Sequence, residues 1–141
     1  MTSESKTPIK KTIKVVAAYI KKDDKFFGAQ RDYGFLKGKW EFPGGKIEAN
    51  ETTEEALKRE IYEELDTKIL VGDFLFNVTY PYPEFILDMN VYEASVLSGR
   101  LKIEKGIHSA EAFFKLSDVN IKDWCPADQI VLSKLKQRTI D

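Results

Sequence analysis

Between Glu48 and Glu64 the 141-residue chain carries seven glutamates, and the spacing of these oxygen donors admits two kinds of chemistry. The first is a solvated helix face knitted by pairs four residues apart. Glu54 precedes Lys58 and Glu55 precedes Arg59 at that spacing, each with the acid N-terminal to the base, the better orientation. The second is metal binding. At ~100° per residue, Glu60, Glu63 and Glu64 fall within an arc of about 100°. That arc flanks the apolar stripe Leu57, Ile61, Leu65 instead of opposing it. Glu60 and Glu64 are also like charges four residues apart, which costs a few tenths of a kcal/mol, roughly, and stabilises nothing. Carboxylates converging at the edge of a core call for a cation among them, and hard oxygen ligands suit Mg²⁺ or Mn²⁺. Spacing alone leaves both readings open.

Such side chains need a helix, and the pattern predicts one over residues 52–65, with Asn50 or Thr52 as cap and a stop near Asp66. Just ahead, Pro43-Gly44-Gly45 should stop any regular element and let backbone approach a ligand closely. The β-branched run over 12–20 predicts a buried strand, joined through Lys21-Lys22-Asp23-Asp24-Lys25 to a second at 26–30 in a hairpin. Residues 32–39 read as a loop. Further strands are expected over 69–79, 85–97 and 112–116, and Pro126 opens a second helix to about residue 137. Strands and helices in this order predict an α/β (α+β) class, a mixed sheet with helices on its faces.

The length fits one domain, expected over residues 9–141, with the Ser/Thr/Lys-rich residues 1–8 disordered. A net charge of −1 removes the bulk electrostatic case for a nucleic-acid polymer or a membrane surface, so an anionic ligand must be held by a metal or a few placed cations. The single cysteine, Cys125, excludes an internal disulfide framework and reads as an inert buried thiol. With no apolar run near the ~18 residues needed for a bilayer span and no apolar core in residues 1–11, a cytoplasmic protein is expected.

The stretch Gly45, Glu51, Arg59-Glu60-Ile61-Tyr62-Glu63-Glu64, with five and seven residues in its gaps, resembles the signature box of Nudix hydrolases. Lys39-Trp40-Glu41-Phe42-Pro43-Gly44-Gly45-Lys46-Ile47-Glu48 is similar to the MutT-like branch, which includes 8-oxo-dGTP diphosphatases and cytidine triphosphate pyrophosphohydrolases. The resemblance extends from about residue 12 to 135 and is strong over 38–65. It implies the Nudix fold, an α/β/α sandwich around a mixed sheet. It also implies that Glu60, Glu63, Glu64 and the carbonyl of Gly44 bind Mg²⁺ or Mn²⁺, that Arg59 orients the glutamates, and that Glu51 lies near them. Arg31 resembles the position that contacts substrate phosphates. Tyr82 resembles the base-stacking aromatic, with Val15 and Phe42 on the opposite wall, and Asp128 stands where the family reads the base edge. Water attack on phosphorus would release a nucleoside monophosphate and pyrophosphate, with the metal offsetting charge. Three of these residues also have a plain structural use: Arg31 as an unpaired surface arginine, Tyr82 as loop packing and Asp128 as a helix N-cap.

The chain departs from the pattern twice. Asp66-Thr67 stands where the box ends in Gly and an aliphatic residue, and Asp is expected to tolerate the left-handed terminus that Gly would supply. MutT-like enzymes also place a glutamate in the loop before the last strand, often ahead of a His, whereas Ile107 precedes His108 here. Glu104 or Glu111 is a candidate replacement; if neither reaches the metals, a box glutamate must be the base or activity is weak. His108 is read as a loop residue, with phosphate contact or proton transfer as the second reading. An ionised Asp128 would accept from an amino donor such as cytosine N4, pointing to a normal or modified cytidine nucleotide. Two alternatives remain: another nucleoside diphosphate-linked substrate, such as a nucleotide sugar or dinucleotide, and a non-catalytic nucleotide binder. A monomer or a homodimer is expected.

Overall fold

The computed structural model describes residues 10–140, so the expectation of disorder over residues 1–8 lies outside the described residues. The chain runs β1 (Lys11–Lys22), β2 (Lys25–Arg31), β3 (Trp40–Glu41), β4 (Gly44–Lys46), α1 (Thr53–Leu65), β5 (Lys68–Pro81), β6 (Phe85–Ser98), β7 (His108–Lys115), a 3-10 turn (Ile121–Asp123) and α2 (Pro126–Ile140). The strands form one seven-stranded sheet in the order β3-β2-β1-β6-β5, with β4 added to β1 and β7 to β2. The β1–β6 pairing is parallel and the others antiparallel, so the sheet is mixed.

Alternation along β1 divides the core into two layers. Val16, Ala18 and Ile20 pack with Phe27, Ala94 and the α1 stripe Ala56, Leu57, Ile61 and Leu65. Ala17 faces the other way, with Phe26, Phe42, Trp124 and the α2 residues Val131, Leu132 and Leu135. One helix therefore covers each face, the expected α/β/α sandwich.

The ends of α1 are fixed locally. Thr52 is the N-cap: its hydroxyl accepts from the Glu55 N–H while the Glu55 carboxylate accepts from the Thr52 N–H. This reciprocal box stabilises the helix by about 1 kcal/mol. At the other end Asp66 takes the left-handed conformation, φ 49° and ψ 44°, as its place in the box requires. Thr67, buried where an aliphatic residue was the norm, donates its hydroxyl to the Leu65 carbonyl and accepts from the Leu101 N–H, so no polar group is stranded.

Two sequence expectations change. Gly44-Gly45 forms a short strand on β1 instead of ending regular structure, with Ala17 opposite Gly44 and Val16 opposite Gly45. Absence of side chains is what permits it, because a Cβ on Gly44 would overlap the Val16 carbonyl oxygen. His108 opens β7 and is buried, where a loop residue was expected. Its register opposite Arg31, at a bulge in β2, pulls it into the sheet.

Candidate active site

A cleft of about 460 Å³ opens between β1, the segment 41–46, α1 and the start of α2. Eight of the predicted residues line it: Val15, Arg31, Phe42, Gly44, Glu60, Glu64, Tyr82 and Asp128. Glu51, Arg59 and Glu63 do not. They form instead an ion-pair cluster beside it, with Arg59 donating to Glu51 (2.6 and 3.0 Å), Glu60 (2.9 Å), Glu63 (3.0 Å) and the Lys46 carbonyl (3.0 Å).

This cluster corrects the simple pairing predicted for the helix. Arg59 does not pair with Glu55, whose carboxylate closes the capping box. It gathers Glu60 and Glu63, two of the three acids read as metal ligands, together with Glu51. The Arg59 hydrogen bond, above all, lowers the Glu51 carboxyl below its ordinary range, and the same contacts raise Arg59. Glu63 remains 56% exposed at its side chain and turned to Arg59. Glu60 extends from its Arg59 contact to the backbone at Gly45, where a Cβ would overlap its carboxylate. The box glycine is therefore the surface against which the Glu60 carboxylate rests.

Among the described residues Glu64 has no such hydrogen-bonded base. Burial first, then the charges of Glu60, Glu41 and Glu63, push its carboxyl up to about 8. Burial also raises Glu60, opposed by Arg59. Among the described residues no three His, Cys, Asp or Glu side chains stand grouped to hold an ion by themselves. The carboxylates that reach the cleft nevertheless fit a hard divalent cation: they offer oxygen ligands, and Glu64 is a half-buried acid whose charge Arg31 only partly offsets.

Asp128 lies on the same cleft and is only 6% exposed. It sits in the first turn of α2, past the position an N-cap would take, and its Oδ1 accepts from the Phe42 N–H at 3.1 Å. Burial, then the charge of Glu41, raises it to about 8, against the pull of the Phe42 N–H. Burial thus favours the protonated carboxyl over the ionised acceptor expected from the sequence. With Oδ1 engaged, the carboxyl proton makes it a donor as well.

Tyr82 lines the cleft but is buried, its hydroxyl accepting from the Ala127 N–H at 3.1 Å. Phe35, 54% exposed, meets it edge-on with centroids 5.5 Å apart, and Tyr33 lies 4.6 Å from the Arg31 guanidinium. Both aromatics line the cleft, and neither was predicted. Their signal was two aromatics within a short loop of glycines, Gly34 and Gly38, both at positive φ. Glu41 is the other residue missed: it accepts from Arg31 Nη1 and meets His108 Nε2, each at 3.0 Å. Glu104 and Glu111, the candidate substitutes for a loop glutamate, are exposed and do not line the cleft, whereas Ile107 does. Cys125 lines the cleft as a buried thiol whose pKa burial raises, consistent with an inert side chain.

Comparison with known proteins gives a consistent result. The family profile described as NUDIX domain matches residues 11–140. An 8-oxo-dGTP diphosphatase of Proteus vulgaris is 34% identical over 99 residues, 69% of this chain and 88% of that protein. A CTP pyrophosphohydrolase of Escherichia coli (strain K12) is 46% identical over 66 residues, 46% of this chain and 49% of that protein. Among solved structures, the crystal structure of a MutT NUDIX hydrolase from Burkholderia pseudomallei superposes with a TM-score of 0.82 at 27% identity, covering 89% of this chain and 99% of that one.

Proposed function

The chain belongs to the NUDIX family, and from that premise we propose that it is a Mg²⁺- or Mn²⁺-dependent hydrolase of nucleoside triphosphates, normal or oxidised, releasing a nucleoside monophosphate and pyrophosphate. The observation that carries the reading is that the segment 42–45 borders the cleft and touches both Asp128 and Glu60, which line it. Its first N–H is bonded to Asp128, and its last glycine supports Glu60. Three residue steps reach at most ~10 Å, a span suited to a nucleotide with its base at Asp128 and its phosphates at the glutamates.

On this reading Glu60 and Glu64 hold the metal, joined by Glu63 and the Gly44 carbonyl, and the bound ion would offset phosphate charge and acidify the attacking water. The chain's own groups do the rest. Arg59 fixes the orientation of Glu60 and Glu63 and ties the helix to the preceding segment, through Glu51 at the Glu48 N–H and directly at the Lys46 carbonyl. Arg31 faces the phosphates as a fixed cation. Glu64 takes the proton of the attacking water, since neither Glu104 nor Glu111 reaches the cleft. Val15, Phe42 and Tyr82, with Phe35 at the mouth, enclose the base, and stacking of that kind tolerates any base.

Asp128 supplies the selectivity. Protonated, it donates to a carbonyl edge such as guanine O6; ionised, it accepts from an amino group such as cytosine N4. The two relatives compared above carry names for those two kinds of substrate, an 8-oxo-dGTP diphosphatase and a CTP pyrophosphohydrolase. Such a role places the protein with the nucleotide pool of the cytoplasm. The test is pyrophosphate release with Mg²⁺ over a panel of CTP, dCTP, 8-oxo-dGTP, a nucleotide sugar and a dinucleotide. Turnover confined to the last two would overturn the triphosphate reading. Inactivity of the folded protein on all five would favour a binder.

A further inference from the structure

We propose that Glu41, anchored by His108, is a positioning residue that aims the Arg31 guanidinium at the polyphosphate of the substrate. The inference rests on the nucleotide reading of the cleft and assigns the groups that hold Arg31, which with Lys46 supplies its basic lining. Arg31 ends β2, and its backbone is clipped on both sides: its N–H donates to the Lys39 carbonyl, and its own carbonyl accepts from the Gly38 N–H. The side chain is held less completely. Nη1 meets Glu41 at 3.0 Å and the Tyr33 ring lies against the guanidinium, while among the described residues Nε is buried without a partner. A fork held at one nitrogen keeps its other donors for an anion.

Glu41 could be no more than a structural brace. Its surroundings argue otherwise. The Arg31 and Glu41 side chains are each 20% exposed, and Glu41 lines the cleft that also holds Glu60, Glu64 and Asp128. A neutral glutamine of the same size would fill the same space. What glutamine would lose is a full negative charge shared between two partners. Glu41 Oε1 takes Arg31, and Oε2 takes His108 Nε2, whose ring is only 1% exposed and bound into the first residue of β7. The bridge spans β2, β3 and β7, so neither the carboxylate nor the guanidinium is free to swing.

The test uses the full chain with Mg²⁺, reading KM and kcat for CTP and 8-oxo-dGTP, and binding of inorganic tripolyphosphate by calorimetry. Glu41→Gln should weaken tripolyphosphate and raise KM by about tenfold, the scale of a misplaced charge-assisted contact, with kcat much less affected. His108→Gln, which keeps an amide donor for Glu41, should stay near wild type, while His108→Ala follows Glu41→Gln. In an Arg31→Ala background Glu41→Gln should add no further loss. A brace alone would lower the folded fraction, and with it apparent kcat, without moving KM. Additive losses, or unchanged tripolyphosphate binding in Glu41→Gln, would overturn the proposal. Should His108→Ala unfold by circular dichroism, Glu41→Gln and its cycle with Arg31→Ala decide. Tripolyphosphate binding without turnover of either nucleotide overturns the catalytic reading alone; a wild-type protein that binds no tripolyphosphate overturns both.

Discussion

Glu64 and Asp128 are acids in surroundings that suit neutral groups, and each has a consequence that can be measured. Burial and three neighbouring carboxylates raise Glu64 to about 8, so removing its charge relieves repulsion in the metal-free protein. Glu64→Gln should therefore lower turnover by orders of magnitude, roughly 10²-fold or more as for loss of a group acting in proton transfer. Its metal-free melting temperature should stay level or rise. A marked fall in melting temperature would make Glu64 a structural residue. Asp128 gives a finer test because its state sets which base edge it can read. As pH rises through about 8 it changes from donor to acceptor, so activity on CTP should gain on activity on 8-oxo-dGTP between pH 6.5 and 8.5. In Asp128→Asn, which cannot ionise, the ratio should not depend on pH. A wild-type ratio that stays flat would remove Asp128 as the selectivity group.

At the scale of elements, two adjacent glycines of β4 serve different ends and should fail differently. A Cβ on Gly44 meets the Val16 carbonyl oxygen and the Ala17 Cα, both backbone atoms of a central strand that cannot yield. Gly44→Ala should destabilise the fold by about 3 kcal/mol, the upper range for overpacking. The three atoms nearest a Cβ on Gly45 all belong to the Glu60 side chain, whose end can swing away. Gly45→Ala should melt near wild type but lose most activity, because the carboxylate displaced is the one resting against the cleft. Equal loss of stability in both variants would contradict this division. The same elements show what the sequence could and could not reveal. Helix α1 was legible to within a residue because its cap, apolar stripe and left-handed Asp66 are all local signals. The pairing of Gly44-Gly45 with β1 and the burial of His108 opposite Arg31 depend on partners about 30 or more residues away, and no local pattern encodes that register. Arg59 illustrates the same limit on the site. Spacing predicted Glu55 as its partner, yet the capping box had a prior use for that carboxylate, and the guanidinium turned to Glu51, Glu60 and Glu63.

For the whole molecule, buried acids shape the dependence of stability on pH. Glu64 and Asp128 ionise near 4 in the unfolded chain but only at about 8 when folded, so between those values the native state holds protons that the unfolded state has lost. Stability from these two groups is fully present below about pH 4 and declines as pH rises toward 8. Glu51 acts oppositely: its folded pKa is depressed, so its contribution is present above its unfolded pKa and is lost as acid protonates it. The metal-free protein should thus be most stable near pH 5 and melt several degrees lower at pH 8.5, each kcal/mol being worth about 2–4 °C in a chain of this size. Asp128→Asn should flatten the alkaline decline. Saturating Mg²⁺ should flatten it too, because metal binding selects the ionised carboxylates and strengthens as pH rises. The gain in melting temperature on adding Mg²⁺ should accordingly be larger at pH 8.5 than at pH 6. A gain independent of pH would mean that the metal does not bind where Glu64 titrates, and would move the ion away from this cleft.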